Sequence, residues 1–238
     1  MDGAHLLAAA GIVFFGGAVQ GVAGFGMGMI SVPVLLRFLP PAAVTPLSLI
    51  AATFMNSFFL WNLRHSIQLK LILPVLAGAA LGVMPGIWAL KTVPEGSFKT
   101  AAGLFIALAG VLLWLGWKCP VEKRPLQLGV GFACGVLNGA LAVSGPPIAI
   151  FLAAGDVRKD VFRASISAFF LMLNLFTLIG LAQQRLLAPS LLKEALLLVP
   201  AVLAGALAGL KLAQRVSEKL FRVFVMTMIV VSGLSLLL

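Results

Sequence analysis

Five long stretches of this chain, 38–63, 71–90, 100–117, 125–155 and 164–184, carry no Asp, Glu, Lys, Arg or His. A helix needs about 20 predominantly apolar residues to cross a bilayer core of about 30 Å, and these runs are of that length. Composition points the same way: 61% of the 238 residues are apolar and 10% are charged, with a mean hydropathy of +1.13. A soluble domain has about 45–50% apolar and about 25% charged residues, so a soluble fold has nowhere to bury this chain. The sequence predicts an all-α polytopic membrane protein whose partner is the lipid bilayer. At about 20 to 25 residues per crossing with its loop, its length allows roughly eight to ten membrane segments. That leaves no room for a soluble catalytic domain, so no enzyme activity is expected.

The surplus of ten positive charges does not indicate nucleic acid, because the lysines and arginines are spread over short loops rather than gathered on one face. In a membrane protein they set orientation. Cys119 and Cys134 have no metal-ligand spacing and read as packing residues. The N-terminus lacks a Lys or Arg before its apolar run, unlike a cleaved signal peptide. Trp61, Trp88, Trp114 and Trp117 stand near segment ends, as interfacial anchors do.

Apolar segments run over 6–20, 29–39, 42–62, 70–91, 98–117, 126–140, 146–155, 160–182, 190–213 and 219–238. Two of them, 29–39 and 146–155, reach only about half the hydrocarbon core at about 1.5 Å per residue. Each follows a backbone-breaking stretch: Gly21, Gly24, Gly26, Gly28 and Pro33 in one case, Gly139, Ser144, Gly145, Pro146 and Pro147 in the other. The pairing points to an internal repeat. Setting Pro33 on Pro147 gives an offset of 114 and places Gly21 on Gly135, whereas Asn56 falls on Asn174 at an offset of 118. The chain divides into a first repeat over 1–117, a polar linker over 118–124 and a second repeat over 125–238.

If each short segment forms a re-entrant hairpin with the broken helix before it, Arg37, Lys91, Lys99, Arg185 and Lys193 lie on one side and the other 12 Lys and Arg on the opposite side. Counting each broken pair as a single crossing gives 10 against 7. The positive-inside rule therefore favours two inverted repeats, each opening with a broken or re-entrant helix pair, with both termini outside the cytoplasm.

Broken helices at matching positions of two repeats are the sequence pointer to a midplane binding site, because irregular backbone at that depth must be buried in protein or line a cavity. Gln20 is the one strongly polar side chain in the first break before Ser31, and Asn138 and Ser144 mark the second. Two short helices meeting there would aim N-terminal N–H groups at one point, which favours an anion. The pairs Gly17 with Gly21 and Gly24 with Gly28 also fit close helix packing. A second polar layer follows each break: Thr45, Ser48, Thr53, Asn56 and Ser57 in one half, Ser165, Ser167, Asn174 and Thr177 in the other. Asn56 and Asn174 stand out as a pair, with a helix-to-helix hydrogen bond as the alternative reading. Arg163 reads either as an attractor of anions or as a structural partner of Asp160, and His65 as an interfacial residue. No acid or base is expected inside a span, which argues against a carboxylate proton relay and a cation channel lined by acid rings. No metal-ligand cluster or catalytic set is present, so no cofactor is expected.

The doubled arrangement resembles the TauE/SafE sulfite exporter family, also called the 4-toluene sulfonate uptake permeases. The residues that carry it are Gln20, Gly21, Gly24, Gly26, Gly28 and Pro33 in the first half, with Gly135, Asn138, Gly139, Ser144, Gly145, Pro146 and Pro147 in the second. The second break lacks the glycine-rich tract that family members often show there. The resemblance implies a multi-pass transporter of the bacterial inner (plasma) membrane that handles small sulfur-containing anions such as sulfite and sulfonates. The residues expected to bind the anion are those of the two breaks together with Asn56 and Asn174. A passive anion channel and a non-transporting accessory membrane protein are the competing readings. A homo-oligomer is compatible with all three.

Overall fold

The computed structural model describes residues 3–94, 123–155 and 157–217, together with Thr100 and a few positions between 219 and 227. The segment 98–117 lies outside the described residues apart from Thr100, and so do Cys119 and most of 219–238. Among the described residues are eight α-helices: α1 (Gly3–Ala23), α2 (Met27–Leu35), α3 (Pro41–Leu63), α4 (Leu69–Thr92), α5 (Arg124–Leu141), α6 (Gly145–Ala154), α7 (Lys159–Gln183) and α8 (Pro189–Ala213). A single 3-10 turn, Arg64–Ser66, extends α3, and no strand occurs among the described residues. Among the described residues five helices (α1, α3, α4, α7 and α8) are long and apolar enough to cross a membrane.

Local chemistry accounts for the helix ends. Proline stands in the first turn of α3, α5, α6 and α8, where its missing N–H has no helical partner to lose and its φ is already helical. The helix α1 stops at Ala23 because Gly24 adopts φ +85° and donates its N–H to the Gln20 carbonyl at 2.7 Å. This is the left-handed cap that glycine enters without penalty. The helix α5 stops the same way, but with an alanine: Ala142 has φ +55° and donates to the Asn138 carbonyl at 3.0 Å.

Around the breaks the boundaries of α5, α6 and α7 match those of α1, α2 and α3 at one offset, whereas α8 begins 120 positions after α4. Ala23 and Leu141 end α1 and α5, Met27 and Gly145 start α2 and α6, and Pro41 and Lys159 start α3 and α7, each pair 118 positions apart. This corrects the register of 114 drawn through the prolines and Gly21. Pro33 lies inside α2, whereas Pro146 and Pro147 occupy the first turn of α6. The backbone break, not the proline, defines equivalence.

The halves interlock. The helix α1 packs chiefly on α8, α4 packs chiefly on α5, and the third helices α3 and α7 meet each other. Glycines allow these approaches. A Cβ on Gly78, Gly82 or Gly86 of α4 would strike α5 carbonyls of Leu128, Phe132 and Val136. One on Gly131, Gly135 or Gly139 of α5 would strike those of Val75, Ala79 and Val83. Such small-residue faces let backbones come together where lipid supplies no hydrophobic drive. Large apolar side chains such as Phe15, Trp61, Leu81, Trp88 and Leu197 point outward. Arg64 lies over the Trp61 ring at 5.2 Å.

Candidate functional site at the paired helix breaks

Gln20 is buried in the last turn of α1. Its Nε2 donates to Asn56 Oδ1 on α3 at 2.9 Å, and its Oε1 accepts the backbone N–H of Met27, the first residue of α2, at 3.2 Å. One amide therefore ties three helices across the break. Asn138, 118 positions later on α5, does the same in the second half. Its Nδ2 donates to Asn174 Oδ1 at 3.3 Å and to Thr177 Oγ1 at 2.9 Å, both on α7. Its Oδ1 accepts Ser144 Oγ at 3.0 Å.

The direction of every amide in these relays follows from groups that have no choice. A backbone N–H can only donate, so Met27 makes Gln20 Oε1 the acceptor, Nε2 the donor and Asn56 Oδ1 the next acceptor. In the second half Thr177 gives its only hydroxyl hydrogen to the Leu173 carbonyl at 2.9 Å, so it can only accept from Asn138. Asn138 Nδ2 is then the donor and Asn174 Oδ1 the acceptor. The Nδ2 groups of Asn56 and Asn174 are left as pure donors, and neither forms a hydrogen bond among the described residues.

Both asparagines line a cavity of about 30 Å³, room for about two waters where one needs about 10–15 Å³. Gln20, Asn138, Ser144 and Ser48 supply its other polar side chains, and Gly26, Gly28 and Gly145 bring the two breaks to its wall. The breaks touch directly, since a Cβ on Gly28 would strike the Ala142 carbonyl. The apolar lining comes from Met27, Met29, Leu49, Ala52, Ala142, Val143 and Phe170. Among the described residues no Asp, Glu, Lys, Arg or His contributes, so the lining offers hydrogen-bond donors without a formal charge.

Not every break residue reaches the cavity. Gly21 packs on Ala206 and Gly209 of α8, Gly139 packs on Val83 and Gly86 of α4, and Gly24 packs on Arg163 of α7. Pro33, Pro146 and Pro147 are also outside the lining. These six residues lie away from the cavity, and Gln20, Gly26, Gly28, Asn56, Asn138, Ser144, Gly145 and Asn174 line it. The two short helices differ at their N-termini. The first-turn N–H groups of Gly28 and Met29 in α2 have no partner within the helix, but Pro146 and Pro147 remove the corresponding donors from α6.

The expectation that no charge lies inside a span is also corrected. Arg163, 5% exposed, sits in α7, a helix long and apolar enough to cross a membrane, and donates Nη2 to the Gly21 carbonyl near the end of α1. At the position 118 residues earlier, Thr45 of α3 donates Oγ1 to the Ala140 carbonyl near the end of α5 at 3.1 Å. The last carbonyls of a helix lack intrahelical donors, and each half caps the broken helix of the other. Arg163 pairs instead with a backbone carbonyl 142 positions away, a partner that no local sequence signal marks. No cluster of three or more metal-ligating side chains occurs among the described residues.

A family model described as "Sulfite exporter TauE/SafE" matches residues 9–236. The chain belongs to the TauE/SafE family. Searches of curated proteins and of solved structures find no match. Membership in this transporter family, with five helices long and apolar enough to cross a bilayer, makes the chain a multi-pass membrane protein. In this TauE/SafE chain the two amide relays lie inside the matched span, with one relay at each break.

Proposed function

We propose that the chain is a secondary transporter of small sulfur-containing anions, such as sulfite or organosulfonates, in the bacterial inner membrane. The anion binds between the two helix breaks at the membrane midplane. The observation that carries this reading is the orientation of Asn56 and Asn174, whose Oδ1 atoms accept from Gln20 and Asn138 and whose Nδ2 groups remain as donors at the cavity. Hydrogen bonds from such donors to an anion are charge-assisted and roughly twice as strong as neutral ones. The unpaired N–H groups at the start of α2 add a favourable dipole. A cation would meet no carboxylate there.

The reciprocal packing of α1 on α8 and α4 on α5 supports two inverted repeats that rock about the site to alternate access. The distribution of 12 Lys and Arg against 5 supports placing both termini outside the cytoplasm. A cavity of about 30 Å³ between the breaks fits a carrier site better than a continuous pore. Uptake and counterflow of labelled sulfite in liposomes containing the purified protein test the reading. The expected result is saturable flux with counterflow, lost in an Asn56→Ala, Asn174→Ala double variant. Flux without saturation would mean a channel, and no sulfite-dependent flux would overturn the transport reading.

A further inference from the structure

The two halves share a register but do not line the cavity alike. On α3, Ser48, Ala52 and Asn56 stand at intervals of four residues and all face the cavity. The positions 118 residues later on α7 are Ile166, Phe170 and Asn174. The first half thus presents a hydroxyl and an amide on either side of a small methyl group, while the second presents an amide beside an aromatic ring.

Ser48 is 1% exposed, and its Oγ has no hydrogen-bond partner. Hydroxyls in helices ordinarily satisfy themselves on the carbonyl four residues back. Two others on α3 do so, Thr53 on Leu49 at 2.7 Å and Ser57 on Thr53 at 2.8 Å. Ser48 does not, and a buried orphan hydroxyl is costly. Ser48 and Asn56 lie about 12 Å apart along the helix at about 1.5 Å per residue. Ala52, with only a methyl group, leaves the space between them open to the cavity. The free first-turn N–H groups of Gly28 and Met29 belong to the same half, whereas Pro146 and Pro147 deprive α6 of theirs.

We propose that Ser48 is a substrate-binding residue and that the oxyanion head seats on the α3 face over Ala52, between Ser48 and Asn56, with Phe170 forming the opposite, apolar wall. This assignment rests on the transport reading above. It makes the site lopsided: the first half holds the charge, and the second closes over it.

The test is sulfite titration of the purified full-length protein by calorimetry, with thermal unfolding measured alongside. A hydrogen bond to a charged group is worth about 1.5–3 kcal/mol, so Ser48→Ala is expected to weaken sulfite binding about tenfold to a hundredfold. The sulfite-free protein should unfold at the same temperature or higher, since an orphan hydroxyl has been removed. Ser48→Cys, a weak donor of similar shape, should fall between. Ala52→Leu, which fills the gap and leaves every donor in place, should abolish binding. Ser167, equally buried and unpartnered but outside the cavity, is the control, and Ser167→Ala should bind as the wild type does. Wild-type affinity in both Ser48→Ala and Ala52→Leu would overturn the Ser48 assignment alone. Failure of the wild type to bind sulfite would overturn the transport reading and this assignment with it.

Discussion

Arg163 on α7 donates its guanidinium to the carbonyl of Gly21 on α1, joining residues 142 positions apart at the point where α1 ends inside the protein. The buried cation therefore serves as a cap: it supplies a donor to a helix end that has left its own ladder of hydrogen bonds. Thr45 serves the same role for α5 with a neutral hydroxyl.

Removing the two caps should have unequal effects. Arg163→Met leaves the Gly21 carbonyl buried without this donor and should destabilise the protein by about 1–3 kcal/mol, the cost of an unsatisfied buried group. Thr45→Val should cost about 1 kcal/mol, the worth of an ordinary hydrogen bond. Thermal unfolding of the two variants in the same detergent gives the order. Equal midpoints would mean that the charge adds nothing at the α1 break.

The amide relays should be functional as well as structural. Gln20→Ala leaves the Met27 N–H without its side-chain acceptor and frees Asn56 to turn its oxygen toward the cavity. Sulfite affinity should fall about tenfold or more, since a charge-assisted hydrogen bond is at stake. Asn56→Asp, which places an acceptor and a negative charge at the cavity, should abolish sulfite binding altogether. Calorimetric titration checks both, and undiminished binding in Asn56→Asp would remove the asparagine from the site.

Glycines should divide by what a methyl group would meet. Gly28→Ala drives Cβ into the Ala142 carbonyl of the opposite break and should lower both stability and flux. Gly11 and Gly129, in α1 and α5, would meet nothing within 4 Å. Gly11→Ala and Gly129→Ala should instead stabilise by about 0.5–1 kcal/mol, the helix-interior penalty of glycine. Unfolding midpoints of the three variants measure the contrast.

Ala142 carries strain that its counterpart avoids. Gly24 takes φ +85° freely, whereas Ala142 at φ +55° bears the left-handed penalty of about 1–2 kcal/mol. Ala142→Gly should therefore raise the unfolding midpoint. Gly24→Ala should lower it, because its Cβ would also lie 3.1 Å from the Arg163 Cα. A midpoint unchanged in both would mean that neither cap is strained.

Much of this architecture follows from the order of residues alone. Charge-free runs of about 20 residues must become membrane helices because unpaired backbone groups cannot be left in lipid. Glycine and proline clustered at 21–33 and 139–147 mark where two of the helices are interrupted, because those residues leave helical geometry readily or start a new helix. Gln20, Asn138, Asn56 and Asn174 stood out as polar groups in apolar surroundings for the same reason. Only the tertiary structure could decide what each one does. The register of 118, the division of glycines between packing faces and the cavity wall, and the caps of Arg163 and Thr45 all depend on partners from the other half. The direction of the amides is the clearest case. Asparagine carries a donor and an acceptor on one flat group, and which one faces the cavity is set by the Met27 N–H in one half and the Thr177 hydroxyl in the other. Neither contact is written in local sequence, because each exists only once two helices are packed.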